Sequence, residues 1–241
     1  MLYIVGFGCG SREGMTIEAE NAIKKSDLVV GYTVYTELMM NFFPDKNYYS
    51  TGMRQEKGRV QYALEQAESG KTVSLICSGD SEIYGMAGLA YELSEKYPNT
   101  EIVTVAGVTA ALSGGAILGA PLTNDFAVIS LSDLLTPAEK ITTKIRCAAQ
   151  ADLTIVLYNP SSKQRADHLK NACEIILQYK SPETICGITK NIGRNGEESR
   201  MVTLAELKNI QADMFTTVFI GCSETEIIGG KMVTKRGYKN V

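Results

Sequence analysis

The 241-residue sequence predicts an α/β protein made of two α/β units, and three observations predict it. Short apolar runs suited to buried strands alternate with stretches of helical period along the chain. Glycines cluster directly after those runs, at Gly6, Gly8 and Gly10, at Gly79 and Gly85, and at Gly107, Gly114 and Gly115. The alternation breaks at Gly119-Ala120-Pro121 and then restarts, which predicts a boundary near 119–124 and units of 1–120 and 121–241. In open α/β sheets ligands sit at the carboxyl ends of strands, and glycine there lets the backbone approach closely. The expected site is a broad cleft between the units, walled partly by backbone and suited to a large ligand or to two at once.

Each element has its local reason. Leu2–Val5 reads as a strand, and Thr16 as the cap of a helix to about Lys25, with Glu18 and Glu20 favourably placed in its first turn. Asp27–Val30 reads as a strand. Gly58–Ser69 reads as a helix ended by Gly70 in a left-handed cap. Val73–Cys77, a helix over Tyr84–Glu95 and Ile102–Val105 follow. In the helix from Thr109 to about Leu118, Ala111, Gly115 and Gly119 lie four apart, a stripe for close packing on the sheet or for ligand contact. Beyond the break come a strand Phe126–Leu131, a helix Ala138–Ala149, a strand Leu153–Tyr158 and a helix Arg165–Gln178. Strands at Thr184–Thr189 and Phe215–Gly221 complete the pattern. The polar, glycine-containing stretch from Ile192 to Arg200 reads as a mobile loop.

A net charge of -3 argues against a general nucleic-acid binder, which carries a basic face. The six cysteines stand singly and His168 is the one histidine, so no protein-bound metal is expected. Reduced thiols in a cytoplasmic protein are the simplest reading of this pattern. Met1–Val5 resembles a buried strand rather than a signal-peptide core, and no stretch reaches the roughly 20 apolar residues that span a bilayer. A soluble protein without membrane contact is expected.

The loop Gly6-Phe-Gly-Cys-Gly10 is not a dinucleotide fingerprint, because GxGxxG would need glycine where Ser11 stands. Ser78-Gly-Asp-Ser-Glu-Ile-Tyr-Gly85 follows a strand and leads into a helix, so its amides can face a ligand. Asp80 there suits either ligand contact or helix capping. Gly107-Val-Thr-Ala110 repeats the arrangement, with Thr109 as cap or contact. Tyr158-Asn159-Pro160 ends a strand either as a turn or as a reader of a purine-like ring. Ser130, Ser132 and Asp133 gather at the end of another strand, for chemistry or, with Thr136, for capping. Arg54, Lys57 and Arg59 form a basic group in a loop, which reads either as solvated surface or, with Arg12, Lys190 and Arg194, as contacts for a ligand bearing several carboxylates. His168 reads as ordinary surface. No Ser/His/Asp triad, HExxH pair or Walker loop is present.

Taken together, these motifs resemble the tetrapyrrole (corrin/porphyrin) methylases. GFGCG, SGDSEIYGMAG (78–88), GVTAA (107–111) and LYNP (157–160) occur in the expected order, and the resemblance covers essentially the whole chain. Gly31-Tyr32 with Tyr35-Thr36, Thr51-Gly52-Met53, Asp125-Phe126 and Ile129-Ser-Leu-Ser-Asp-Leu-Leu-Thr-Pro137 are similar to the precorrin-3B and cobalt-factor III C(17)-methyltransferase branch. Asp213-Met214 and Thr234–Tyr238 agree. Cys9, Ser81 and Ala106 depart from the usual prolines, and Asn124 stands where a histidine is usual.

The resemblance implies the class III methyltransferase fold, S-adenosyl-L-methionine as cofactor and methylation at C-17 with ring contraction. Other tetrapyrrole methylases, a diphthine methylase or a non-catalytic binding protein remain as alternatives. Cobalt, if present, belongs to the substrate. Carried over by position, Cys9, Gly79, Asp80, Ile83, Thr109, Ala110, Tyr158, Asn159, Lys190 and Thr216 are the expected cofactor residues. Arg12, Arg54, Lys57 and Ser130 are the expected substrate contacts, and Asp133 with Ser132 the expected catalytic groups. A homodimer is expected as well.

Overall fold

The computed structural model describes residues 1–161 and 167–238. These fall into two compact units, Met1–Thr109 and Ala110–Val241. The first contains β1 (Leu2–Gly6), α1 (Ile17–Lys25), β2 (Leu28–Tyr32), α2 (Thr33–Met40) and β3 (Asn47–Thr51). It continues through α3 (Glu56–Glu68), β4 (Val73–Cys77), α4 (Ala87–Ser94) and β5 (Ile102–Val105). Its sheet is wholly parallel, in the order β3-β2-β4-β1-β5.

Strand alternation assigns the two faces of that sheet. Leu2, Ile4, Val30 and Leu75 pack with Val60 and Leu64 of α3 and Ala90 of α4. Val5, Val29 and Ile76 pack with Ala19 and Ile23 of α1 and Met39 of α2. Thr16 caps α1 as its sequence predicts, its hydroxyl accepting the Ala19 amide at 3.1 Å. Gly70 takes the expected positive φ, +96°.

The second unit contains α5 (Ala110–Leu118), β6 (Gly119–Ala120), β7 (Phe126–Ser130), α6 (Ala138–Gln150), β8 (Thr154–Tyr158) and α7 (His168–Ile176). It ends with β9 (Ile185–Lys190), β10 (Glu198–Thr203), α8 (Leu204–Leu207), β11 (Thr216–Ile220), β12 (Thr225–Ile228) and β13 (Lys231–Thr234). Its main sheet runs β10-β9-β11-β8-β7, with β7 and β8 parallel and the other pairs antiparallel. α6, α7 and α8 cover one face through Ile145, Leu169, Cys173, Ile176 and Leu204. Ala111 and Leu118 of α5 cover the other with Val156, Phe219 and Met232. β12, β13 and β6 form a small third sheet.

Several expectations change. The stretch from Ile192 to Arg200, expected as a loop, is the hydrogen-bonded turn of a β9–β10 hairpin, and Glu198–Arg200 already belong to β10. Asn191 donates to the Gly196 carbonyl at 3.2 Å, and Glu197 accepts the Gly193 amide at 2.7 Å. The helix expected from Tyr84 begins only at Ala87, because Tyr84 sits at φ +57° and the Ser81–Met86 stretch turns on itself. The Arg165 start expected for α7 lies outside the described residues, whose helix begins at His168. Close packing of α5 falls at Gly114 rather than Gly115. A Cβ at Gly114 would lie 2.7 Å from Thr189 Oγ1 and 2.9 Å from the Phe219 ring, whereas at Gly115 the nearest atom is 3.4 Å away.

Candidate functional site

In the first unit, three strand ends are stitched together by backbone. The amides and carbonyls of Gly8 and Gly79 bond reciprocally at 2.9 and 2.7 Å, both residues having positive φ. A Cβ on Gly6 would stand 2.8 Å from the Gly107 nitrogen, and one on Gly107 would stand 2.2 Å from the Gly79 oxygen. The glycines therefore let the loops after β1, β4 and β5 pack on one another, a nearer cause than approach to a ligand.

Asp80 locks this junction. One carboxylate oxygen accepts the Glu82 and Ile83 amides at 2.8 and 3.0 Å, and the other accepts the Gly107 amide at 2.9 Å. Burial pushes its carboxyl up, but the amides of Gly107, Glu82, Ile83 and Ser81 together outweigh it and hold the group below the usual carboxylate value. It does not cap a helix, since α4 starts at Ala87. Two of the residues standing in for proline replace ring rigidity with hydrogen bonds. The Ser81 hydroxyl donates to the Val105 carbonyl at 3.1 Å, and the Cys9 thiol to the Val108 carbonyl at 3.6 Å. Ile83 leaves its side chain 42% exposed at this strand end, and Thr109 is half-buried there.

The basic residues divide. Arg12 pairs with Glu20 and lies over the Phe43 ring. Arg54, with φ +65°, and Lys57 are exposed. Lys57 and Arg59 stand on α3 rather than in a loop, and Arg59 is buried, donating to Thr51 Oγ1 and the Gly52 carbonyl at 2.8 Å each. It anchors the end of β3.

In the second unit, strand register brings the expected residues to one end of the main sheet. Ser130 lies opposite Tyr158, and Thr216 opposite Lys190. Asn159, at φ +51°, donates to Ser130 Oγ at 2.9 Å, and that oxygen also accepts the Ser132 amide at 3.2 Å. The Tyr158 hydroxyl accepts the Ala111 amide at 2.6 Å, joining the LYNP strand end to the first turn of α5, where Ala110 sits. Lys190 pairs with Asp213 at 2.9 Å, and Asp213 also accepts the Thr216 hydroxyl at 2.9 Å. Burial raises the Asp213 carboxyl, yet Lys190, Thr216 and the Phe215 amide leave it lowered overall.

Asp133 does not cap α6, whose N-cap is Pro137 without a side-chain bond. His168 corrects the surface assignment. Its Nδ1 lies 2.8 Å from the Leu131 carbonyl oxygen and its Nε2 lies 3.7 Å from Asp133 Oδ2. It stands one position off an apolar helix face, and no spacing signal links it to a strand end 35 residues earlier (168 − 133).

One unit with a parallel, glycine-looped sheet and one with a mixed sheet, each with polar residues gathered at strand ends, define an α/β protein with the strand-end sites that enzymes of this class use. The sequence profile of the Tetrapyrrole (Corrin/Porphyrin) Methylases matches residues 1–208. The chain belongs to that family. It is 46% identical to a probable cobalt-factor III C(17)-methyltransferase of Methanocaldococcus jannaschii, covering 99% of this chain and 98% of that one. It is 42% identical to the cobalt-factor III methyltransferase of Priestia megaterium, where 99% of this chain spans 45% of that protein. The crystal structure of the methyltransferase CobJ superposes with a TM-score of 0.89 at 31% identity, covering 97% of this chain and 99% of that one.

Proposed function

We propose that this protein methylates C-17 of a precorrin-3B or cobalt-factor III macrocycle, with contraction of the ring, during cobalamin biosynthesis. The observation that carries this reading is the 46% identity over nearly two whole chains to a probable cobalt-factor III C(17)-methyltransferase. The polar end of β7 supports it, because Asp133 is flanked there by Leu134 and Leu135, 57% and 98% exposed. Apolar surface beside a carboxylate suits a flat macrocycle whose reaction needs proton transfers.

Bound S-adenosyl-L-methionine supplies a methyl group already activated on a sulfonium. The residues present fit such a group: Ile83 leaves apolar surface beside backbone amides, and Tyr158, Asn159, Lys190 and Thr216 gather aromatic and polar groups at one sheet end. In this reading Cys9, Gly79, Asp80, Ile83 and Thr109 of the first unit hold it, as do Ala110, Tyr158, Asn159, Lys190 and Thr216 of the second. Asp80 acts by fixing the loops that carry the others. With the methyl activated, what remains for the protein is to align donor and acceptor and to exclude water. Contraction requires a proton to move, and Asp133, with Ser132 and Ser130 beside it, takes that role. Arg54 and Lys57 grip substrate carboxylates; Arg12 does so by exchanging Glu20 for the ligand. Cobalt, where present, arrives with the substrate.

A cytoplasmic homodimer belongs to the same reading. Six cysteines free of disulfides support the reducing setting, and no helix among the described residues is long and apolar enough to cross a membrane. The test is to incubate the purified protein with S-adenosyl-L-methionine and, in parallel, cobalt-factor III or metal-free precorrin-3B. A product one methyl heavier with an altered absorption spectrum is expected. Tight donor binding with neither substrate turned over would overturn the reading.

A further inference from the structure

We infer that His168 is a positioning residue that acts through Asp133, an inference that rests on the role just proposed for that carboxylate. The two side chains come from different elements. Asp133 stands in the turn after β7, and His168 is the first residue of α7. A carbonyl oxygen can only accept, so the 2.8 Å contact with Leu131 places a ring proton on Nδ1. The imidazole is thereby oriented by the backbone of the turn that carries Asp133.

Its other nitrogen, Nε2, faces Asp133 Oδ2 at 3.7 Å, beyond hydrogen-bond length, and attracts that carboxylate when Nε2 carries a proton as well, so that the ring is an imidazolium. Both side chains are partly withdrawn from solvent, at 25% and 37% exposure. They meet at a groove of about 110 Å³ whose walls include Leu131, Ile141, Ile145 and Ala172. The apolar walls keep water from one side of the contact, which favours attraction between an imidazolium and the carboxylate. On its outer side the turn presents Leu134 and Leu135 to solvent, so His168 braces Asp133 from the α7 side. A carboxylate aimed by an imidazole that is itself aimed by a carbonyl is held in one orientation, as proton transfer at a fixed ring position requires.

A double-mutant cycle on the full chain tests this, using S-adenosyl-L-methionine and cobalt-factor III. In the wild-type background His168→Ala is expected to lower kcat about 10- to 100-fold, the usual loss when an outer partner of a functional group is removed, with KM for the donor changed less than about twofold. In the Asp133→Asn background the same substitution should change kcat less than about twofold. His168→Asn, whose side-chain amide can still reach the Leu131 carbonyl, should recover part of the loss. Equal fold losses in both backgrounds would overturn the inference and leave the Asp133 role standing. Full activity of Asp133→Asn would instead remove that role, and the inference with it. Because the chain has one histidine, its ¹⁵N resonances read the arrangement even if His168→Ala does not fold. A ring protonated on both nitrogens is expected, with Nε2 shifting in Asp133→Asn. A neutral ring would overturn the inference.

Discussion

Asp80 holds three backbone amides on two loops, so its contribution reaches beyond its own turn. Asp80→Asn sets an amide NH₂ against one of those N–H groups and should cost roughly 1–3 kcal/mol near neutral pH. The folded carboxyl lies below its ordinary value, so its stabilisation is complete above the unfolded value and is lost as pH falls through the folded one. Urea unfolding should therefore show a constant wild-type advantage down to about pH 4, narrowing below that. An advantage that grows on acidification would contradict the assignment. Residue types in the motifs were readable from sequence here, but their partners were not. The helix cap that the sequence offers for Asp80 is replaced by a bond to the Gly107 amide, which no local pattern reveals because it is distant in sequence. Arg59 looked like loop surface because its burial depends on the end of β3. The strand-end glycines were read correctly as demands for close approach, but what approaches is the neighbouring loop.

α5 shows how an element is placed by single missing methyl groups. Gly114 rests against Thr189 and Phe219, and Gly187 of β9 leaves room for Leu118, which a Cβ there would meet at 2.4 Å. Gly114→Ala should destabilise by about 1–3 kcal/mol through overpacking. Gly115→Ala meets only ordinary contacts and should gain up to about 1 kcal/mol of helix propensity. Thermal unfolding of the two variants checks this, and equal effects would refute the packing assigned to α5. A central, fully buried element was legible: β4 matches its expected limits, because a short run that is buried throughout leaves one reading. Those that escaped are edges and add-ons. β3 and β10 are half-exposed edge strands with tyrosines, serines and charges, and α2 follows β2 with no intervening loop. The β12–β13 hairpin did carry a signal, Gly229-Gly230 between two four-residue runs, of the kind that marks a two-residue turn.

At the scale of the molecule, the two-unit α/β organisation was visible in the alternation of strands and helices, and the division falls at Thr109 rather than at the Gly119–Pro121 break. The reason is that α5 packs on β9, β11 and the small sheet of the second unit. The mixed direction of the second sheet was not legible, because buried antiparallel and parallel strands share one apolar pattern. Kinship over nearly the whole chain is what supports reading these strand-end residues as the site of the proposed methyl transfer to one carbon of a macrocycle. The most direct test is to supply S-adenosyl-L-methionine carrying a ¹³C-labelled methyl together with cobalt-factor III and to locate the label in the product by NMR. A single ¹³C methyl on C-17 is the expected result; a label on any other ring carbon would contradict the account.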